Sequence, residues 1–398
     1  MSLIPLHEPT GGLSPLVTKT TQLHEVAQRF GAATGPIAAD AERASGHRYG
    51  QATYLIQLRR AGAGTALIDT VAVRNLAAIQ HAVGDAEFVI HAASQDLAGL
   101  REHGLQPARL FDTELAGRLL GLPRVALGTL VAEFLGYSLA KKYSSEDWSR
   151  RPLPSDWLRY AALDVELLLE LRSLLAEQLE QAGKLEWAYQ EFANILAAPP
   201  PPPRQDPWRR TSGLTALRDP RELAIVRALW YARERAAKAR DLAPRLVLSD
   251  AAIVAAAAKQ PRSVGELVAL RDFSAAHLRR RAGYWQRAIE SALRLPPDKL
   301  PSLRGPGSGG PPAARTWPNR DPAAASRLAT VRSVVRSVSE QVAVPAENLL
   351  LPDSVLRFAW QPPAPLTVDA IGNALLSLGA RPWQVGLLAS PLADALKA

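Results

Sequence analysis

Cysteine is absent from this 398-residue chain, so neither disulfides nor thiolate metal sites are open to it. No apolar run approaches the roughly 20 residues needed to span a bilayer. The opening residues MSLIPLHEPTGG lack both the basic start and the apolar core of a secretory signal. These absences lead us to expect a cytoplasmic protein with no membrane partner. What the chain does have is a hydrophobic fraction of 47% and a mean hydropathy near zero, as in a soluble globular protein, and length enough for two or three domains.

The net charge of +9 is unevenly spread. Residues 1–200 carry 18 Lys and Arg against 22 Asp and Glu, whereas residues 201–398 carry 29 against 16. An Arg-rich surface can serve solubility alone, but a basic half beside an acidic half that holds clustered carboxylates suits a polyanion.

Proline and glycine divide the chain. The run AAPPPPPRQDP reads as a semi-rigid extended spacer, and LPPDKLPSLRGPGSGGPPAARTWP reads as a second, more mobile break. We therefore expect a first domain over 1–198, a linker over 199–213, a helical domain over 214–295, a linker over 296–319 and a second helical domain over 320–398. In the first domain GPIAADAER, ATYLIQLRR, TALIDT and EFVIHA are β-type runs, and RNLAAIQHAV, SQDLAGLREHG and TELAGRLLGL carry helical spacing. The expectation is an α/β domain with a mixed sheet, in which three strands of an antiparallel meander precede the first helix. Both later domains read as small all-helical bundles.

Acidic residues recur in a suggestive order. In a strand through IAADAER, Asp40 and Glu42 point to one face, with Ile37, Ala39 and Ala41 on the other. Two carboxylates that close repel one another unless a cation lies between them. Asp96 opens the helix after EFVIHA and reads either as a helix cap or as a ligand. Asp164 lies in YAALDVELL with Tyr160 one helical turn before it, a phenol and a carboxylate on one face; a charge on a solvated face is the alternative.

With these motifs in hand, the first domain resembles ribonuclease D, of the DEDD superfamily of 3′-5′ exonucleases. Asp40 and Glu42 match the family's first motif, Asp96 in HAASQDL the second, and Tyr160 with Asp164 the third, while KKYSSEDWSRRPLPSDWLRYAALDV resembles the stretch that leads into the third. The sister subclass has a histidine five positions before the last aspartate; that position is Arg159 here, so the tyrosine subclass fits. The resemblance implies a ribonuclease H-like fold and two Mg²⁺ or Mn²⁺ ions, the metals that oxygen-only ligands favour. It implies that Asp40 bridges the ions, Glu42 and Asp164 complete the water-activating site, Asp96 supports the other ion and Tyr160 orients or helps to deprotonate the attacking water, positioning being favoured for so weak a base. It further implies removal of nucleotides from RNA with a single-stranded 3′ end, as in tRNA processing. DNA as substrate, or an inactive nucleic-acid-binding adaptor, are the alternatives.

The segment LWYARERAAKARDLAPRLVLSDAAIVAAAAKQPRSVGELVAL resembles the HRDC domain, a helical module shared by RecQ-type helicases and ribonuclease D. PRLVLSDAAIVAAAA is echoed by PAENLLLPDSVLRFAW, so the third domain resembles a diverged second HRDC copy. Candidate RNA contacts are Lys141, Lys142, Trp148, Arg150 and Arg151 ahead of the Tyr160 helix, and Arg233, Lys238 and Arg280 in the second domain. Trp148 reads equally as a core anchor. His91 is read as a structural histidine.

Overall fold

The computed structural model describes residues 3–139, 143–200, 202–303, 305 and 309–397. The chain opens with β1 (Ile4–Leu6), β2 (Leu16–Val17) and helix α1 (Thr20–Ala32). The meander follows as β3 (Ile37–Arg43), β4 (Thr53–Arg60) and β5 (Gly64–Asp69). Then come α2 (Ala77–Val83), β6 (Glu87–Ile90), α3 (Leu97–Glu102), β7 (Arg109–Asp112) and α4 (Thr113–Leu119). The first domain ends with α5 (Leu127–Leu135), β8 (Tyr137–Leu139), α6 (Ser155–Glu166), α7 (Leu168–Gln181) and α8 (Leu185–Ala197).

The six-stranded sheet has the order β2-β5-β4-β3-β6-β7. Strands β3, β4 and β5 pair antiparallel, while β2 joins β5, β6 joins β3 and β7 joins β6 in parallel. The sheet is mixed, as expected. The expectation that strands precede the first helix is corrected by α1, which buries Leu23, Val26, Ala27 and Phe30 at helical spacing. Helix α6 lies across β3, β4 and β5 and brings its own carboxylate to the acidic strand.

Beyond the proline run the chain is helical. The second module holds α9 (Pro220–Arg240), α10 (Pro244–Val247), α11 (Asp250–Lys259), α12 (Val264–Ala269), α13 (Ala276–Arg279) and α14 (Ala282–Leu293). The third holds α15 (Trp317–Arg320), α16 (Pro322–Val342), α17 (Ala346–Leu349), α18 (Pro352–Trp360), α19 (Val368–Ser377) and α20 (Pro382–Lys397). Helices α9 and α16 are each 21 residues long and start at the same Arg-Asp-Pro sequence, where the aspartate caps and proline supplies a preset first turn. Each ends in a left-handed residue, Asp241 at φ 48° and Ala343 at φ 47°, and each leads into a four-residue helix.

The corner after each long helix rests on the first domain. Ala243 N donates to His47 O at 2.9 Å and Arg245 Nη2 to Gly46 O at 3.1 Å. At the other corner Lys184 Nζ donates to Leu119 O at 2.8 Å and to Ala343 O at 3.3 Å. Gly121, at φ +75°, passes so close that a Cβ there would lie 2.4 Å from Ala343 O. Trp187 stacks on Trp383 with centroids 4.9 Å apart. Glu191 accepts from Arg381 Nε at 2.6 Å and from Trp383 Nε1 at 2.9 Å. The second module has a core of its own, whereas the third shares one continuous apolar core with the first.

Candidate metal centre

Strand pairing builds the acidic face. Asp40 stands opposite Gln57 and Glu42 opposite Leu55, and directly opposed residues in an antiparallel pair share a face. Helix α6 covers that face and delivers Asp164, flanked by buried Leu163 and Val165 that fix its rotation. One ligand atom from each of Asp40, Glu42 and Asp164 lies within 4.8 Å of the others. Three oxygens from two elements thus converge, the donor set that a hard divalent cation requires.

Asp96 arrives from a separate turn. The Asp112 carboxylate accepts from the N–H groups of Ala92 at 3.1 Å and Ala93 at 2.8 Å, and also from Glu114 and Leu115 at the start of α4. It thereby holds the bend after β6, where Ala92 is left-handed at φ 59°. Gly99 lets α3 lie against β4, since a Cβ there would meet Thr53 Oγ1 at 2.1 Å. Asp96 occupies the N-cap of α3, yet its side chain caps nothing. It pairs instead with Arg43 at 2.8 Å.

Electrostatics favour a cation. Burial, followed by repulsion from Asp40, Asp164 and Asp96, pushes the Glu42 carboxyl up to about 10. Burial and then Asp40 push Asp96 up to about 7. Asp40 is raised chiefly by burial, and Asp164 is raised well above the usual carboxylate range by burial and then Asp40. Without added positive charge the cluster must take up protons; a divalent ion removes that need. These residues fit the group that their chemistry implies.

Tyr160 is half-buried, and burial, then Asp164, raises its phenol. Its ring is met edge-on by Tyr143 at 5.9 Å, and Tyr143 packs on Trp157 at 6.3 Å. Trp148 completes the wall at 5.3 Å from Trp157.

Several expected RNA contacts are corrected. Trp148 is fully buried and offers RNA no face, so the core-anchor alternative stands. Arg151 is tied to Asp69 at 2.7 and 2.6 Å and donates to the carbonyls of Trp148 and Tyr54; it staples the segment before α6 to the sheet. Arg233 is buried and donates to Asp250 at 2.6 Å inside the second module. Arg150, Lys238 and Arg280 are exposed. Lys141 and Lys142 lie outside the described residues. His91 sits 2.9 Å from Thr113 Oγ1, and burial lowers its pKa to about 4, which suits the structural reading.

Sequence reasoning missed Arg43, Asp112 and Tyr143. Asp112 was signalled by a cap-forming aspartate between an apolar run and the helical TELAGRL. Arg43 gave no such signal, because strand alternation sends it away from Glu42. Tyr143 depends on a ring contact between separate segments.

The chain is similar to several known proteins. The family model for a 3′-5′ exonuclease matches residues 15–180, that for the HRDC domain matches 222–289, and that for a 3′ to 5′ exonuclease C-terminal domain matches 310–396. Ribonuclease D of a Shewanella species is 31% identical over 294 residues, covering 72% of each chain. A solved structure of a protein from Bifidobacterium adolescentis is 36% identical, covers all of both chains and superposes with a TM-score of 0.91. Escherichia coli RNase D, described as an exoribonuclease involved in structured RNA processing, is 26% identical over 96% of this chain and 98% of its own, with a TM-score of 0.69. The chain belongs to the ribonuclease D family.

Proposed function

We propose that this 3′-5′ exoribonuclease trims single-stranded 3′ ends of structured RNA, tRNA precursors among them, and releases nucleoside 5′-monophosphates. In this reading Asp40, Glu42, Asp96 and Asp164 hold two Mg²⁺ or Mn²⁺ ions. The observation that carries it is the meeting of Asp40, Glu42 and Asp164 within 4.8 Å, with Tyr160 one turn from Asp164. When bound, two such ions lower the pKa of water and stabilise the departing 3′ oxyanion. Asp40, whose charge acts on Asp164, Glu42 and Asp96 alike, would be the acid common to the ligands of both ions. Tyr160 is a phenol with an ordinary pKa of about 10, so it keeps its proton at neutral pH; its part is therefore to orient the attacking water, not to deprotonate it. The aromatic wall behind it fixes the ring.

Arg150, Lys238 and Arg280 remain candidate phosphate contacts, as exposed cations suit a sequence-independent hold on RNA. The third module is, in our reading, a diverged HRDC copy. The matching lengths, starts and left-handed ends of α9 and α16 support it.

The test is digestion of a hairpin RNA with a single-stranded 3′ tail, beside a DNA of matched sequence, with Mg²⁺ or Mn²⁺. Stepwise shortening of the RNA tail is expected, with Asp40→Asn inert. Preference for DNA would overturn the substrate assignment. RNA left intact, yet bound equally by the natural chain and Asp40→Asn, would identify an adaptor.

A further inference from the structure

Arg43, the last residue of β3, meets Asp96 at a backbone irregularity of the strand. In a regular strand the residue after Glu42 points to the opposite face. Here Glu42 pairs with Leu55 but Arg43 pairs with Thr53, so the register shifts between them. Arg43 ends β3 at this irregularity, and its guanidinium nevertheless reaches Asp96. Tyr54 is the residue left over in the bulge, and its carbonyl is satisfied by Arg151 Nη2 at 2.9 Å. Bulges are common beside active sites.

The guanidinium is well anchored. Arg43 Nη1 donates to Asp96 Oδ1 at 2.8 Å and to Gln95 O at 2.7 Å. The Asp96 side chain is 7% exposed and that of Arg43 21%, so solvent weakens the pair only in part.

We propose that Arg43 is a built-in counter-cation of the metal centre, which competes with the divalent ion for Asp96 and so sets the affinity of the second ion. The proposal rests on the metal-centre reading above. It assigns Arg43 a positioning role: the guanidinium occupies one oxygen of Asp96, lowers the negative potential that an incoming ion feels and keeps the four acids balanced until that ion arrives. A residue that merely oriented Asp96 as a ligand would strengthen ion binding. A competing charge at 2.8 Å weakens it, and the two roles predict opposite signs.

The experiment is calorimetric titration of the ion-stripped full chain with MnCl₂, in the natural form and as Arg43→Gln and Arg43→Lys. We expect one tighter and one weaker ion in the natural chain. Arg43→Gln should tighten the weaker ion by about fivefold or more, since a full positive charge leaves its neighbourhood, and Arg43→Lys should stay within about twofold of the natural chain because the charge is kept. An unchanged or weakened second ion in Arg43→Gln overturns the proposal. A natural chain that binds no Mn²⁺ overturns the metal-centre reading instead. If Arg43→Gln does not fold without ions, the double variant Arg43→Gln, Asp96→Asn removes the stranded charge as well. It should bind one ion as tightly as Asp96→Asn alone, and loss of that ion in the double variant only would also overturn the proposal.

Discussion

Removing one carboxylate from the centre should stabilise the ion-free protein while it destroys the enzyme. In Asp164→Asn the amide keeps the shape of the side chain and removes its charge. At the 4.8 Å limit that encloses Asp40, Glu42 and Asp164, two unit charges repel by about 3.5 kcal/mol at an effective dielectric constant of 20. The natural cluster relieves part of this by binding protons, as the raised carboxyls indicate, so the gain should be roughly 1–3 kcal/mol. The order reverses when ions are present, because whatever binds only the folded state stabilises it by mass action. Differential scanning fluorimetry in chelator and in excess Mn²⁺ reads both effects. Asp164→Asn should melt at or above the natural chain without ions and below it with them. RNA cleavage should fall by about a thousandfold or more, as expected when transition-state charge stabilisation is lost. A variant that melts lower in chelator, or that gains as much from Mn²⁺ as the natural chain, would refute this reasoning.

Other perturbations probe what holds the centre in place. Trp148→Ala, at a fully buried site, should cost about 3–5 kcal/mol in stability, and a Ca²⁺-supported RNA binding assay on the folded fraction should show little change in affinity. Tyr160→Phe should lower kcat with little effect on KM or on Mn²⁺ binding, since it removes only the hydroxyl. Gly121→Ala places a Cβ against Ala343 O where φ is +75°; hydrogen exchange should then show faster opening of α16 and α17 while α9 is unaffected. His91 carries the opposite pH signature to the acids. Its folded pKa of about 4 lies below its ordinary 6.5, so the unfolded chain binds more protons in that window, and stability present above 6.5 is lost as pH falls toward 4. His91→Gln should flatten this loss, worth roughly 2–3 kcal/mol by linkage, in denaturant melts at pH 7 and pH 4.

Much of the site was legible in the sequence because it follows from periodicity. A period of two puts Asp40 beside Glu42, and a helical turn puts Tyr160 beside Asp164. The proline-rich runs likewise lie between α8 and α9 and between α14 and α15. What was illegible depends on events between segments. The contact of Arg43 with Asp96 joins the end of β3 to a separate turn, and nothing in DAER announces it. Trp148 read equally as an RNA contact or a core anchor and Arg151 as an RNA contact; only the fold sends the tryptophan into the core and the arginine to Asp69, 82 residues away in sequence. The same holds for Arg233, whose partner Asp250 lies across a helical turn and a break. The shared core of the first and third modules was hidden because apolar faces in sequence do not name their partners.

The central claim is that these acids form the centre of a divalent-metal-dependent exoribonuclease working from the 3′ end. It is tested most directly by following a 5′-labelled RNA with a single-stranded 3′ tail, and by identifying the released products chromatographically. With Mg²⁺ or Mn²⁺ the account predicts a ladder that shortens one nucleotide at a time and products that are nucleoside 5′-monophosphates, with both abolished by chelator and by Asp40→Asn. Internal cuts, 3′-phosphate products, or equal cleavage by Asp40→Asn would contradict it.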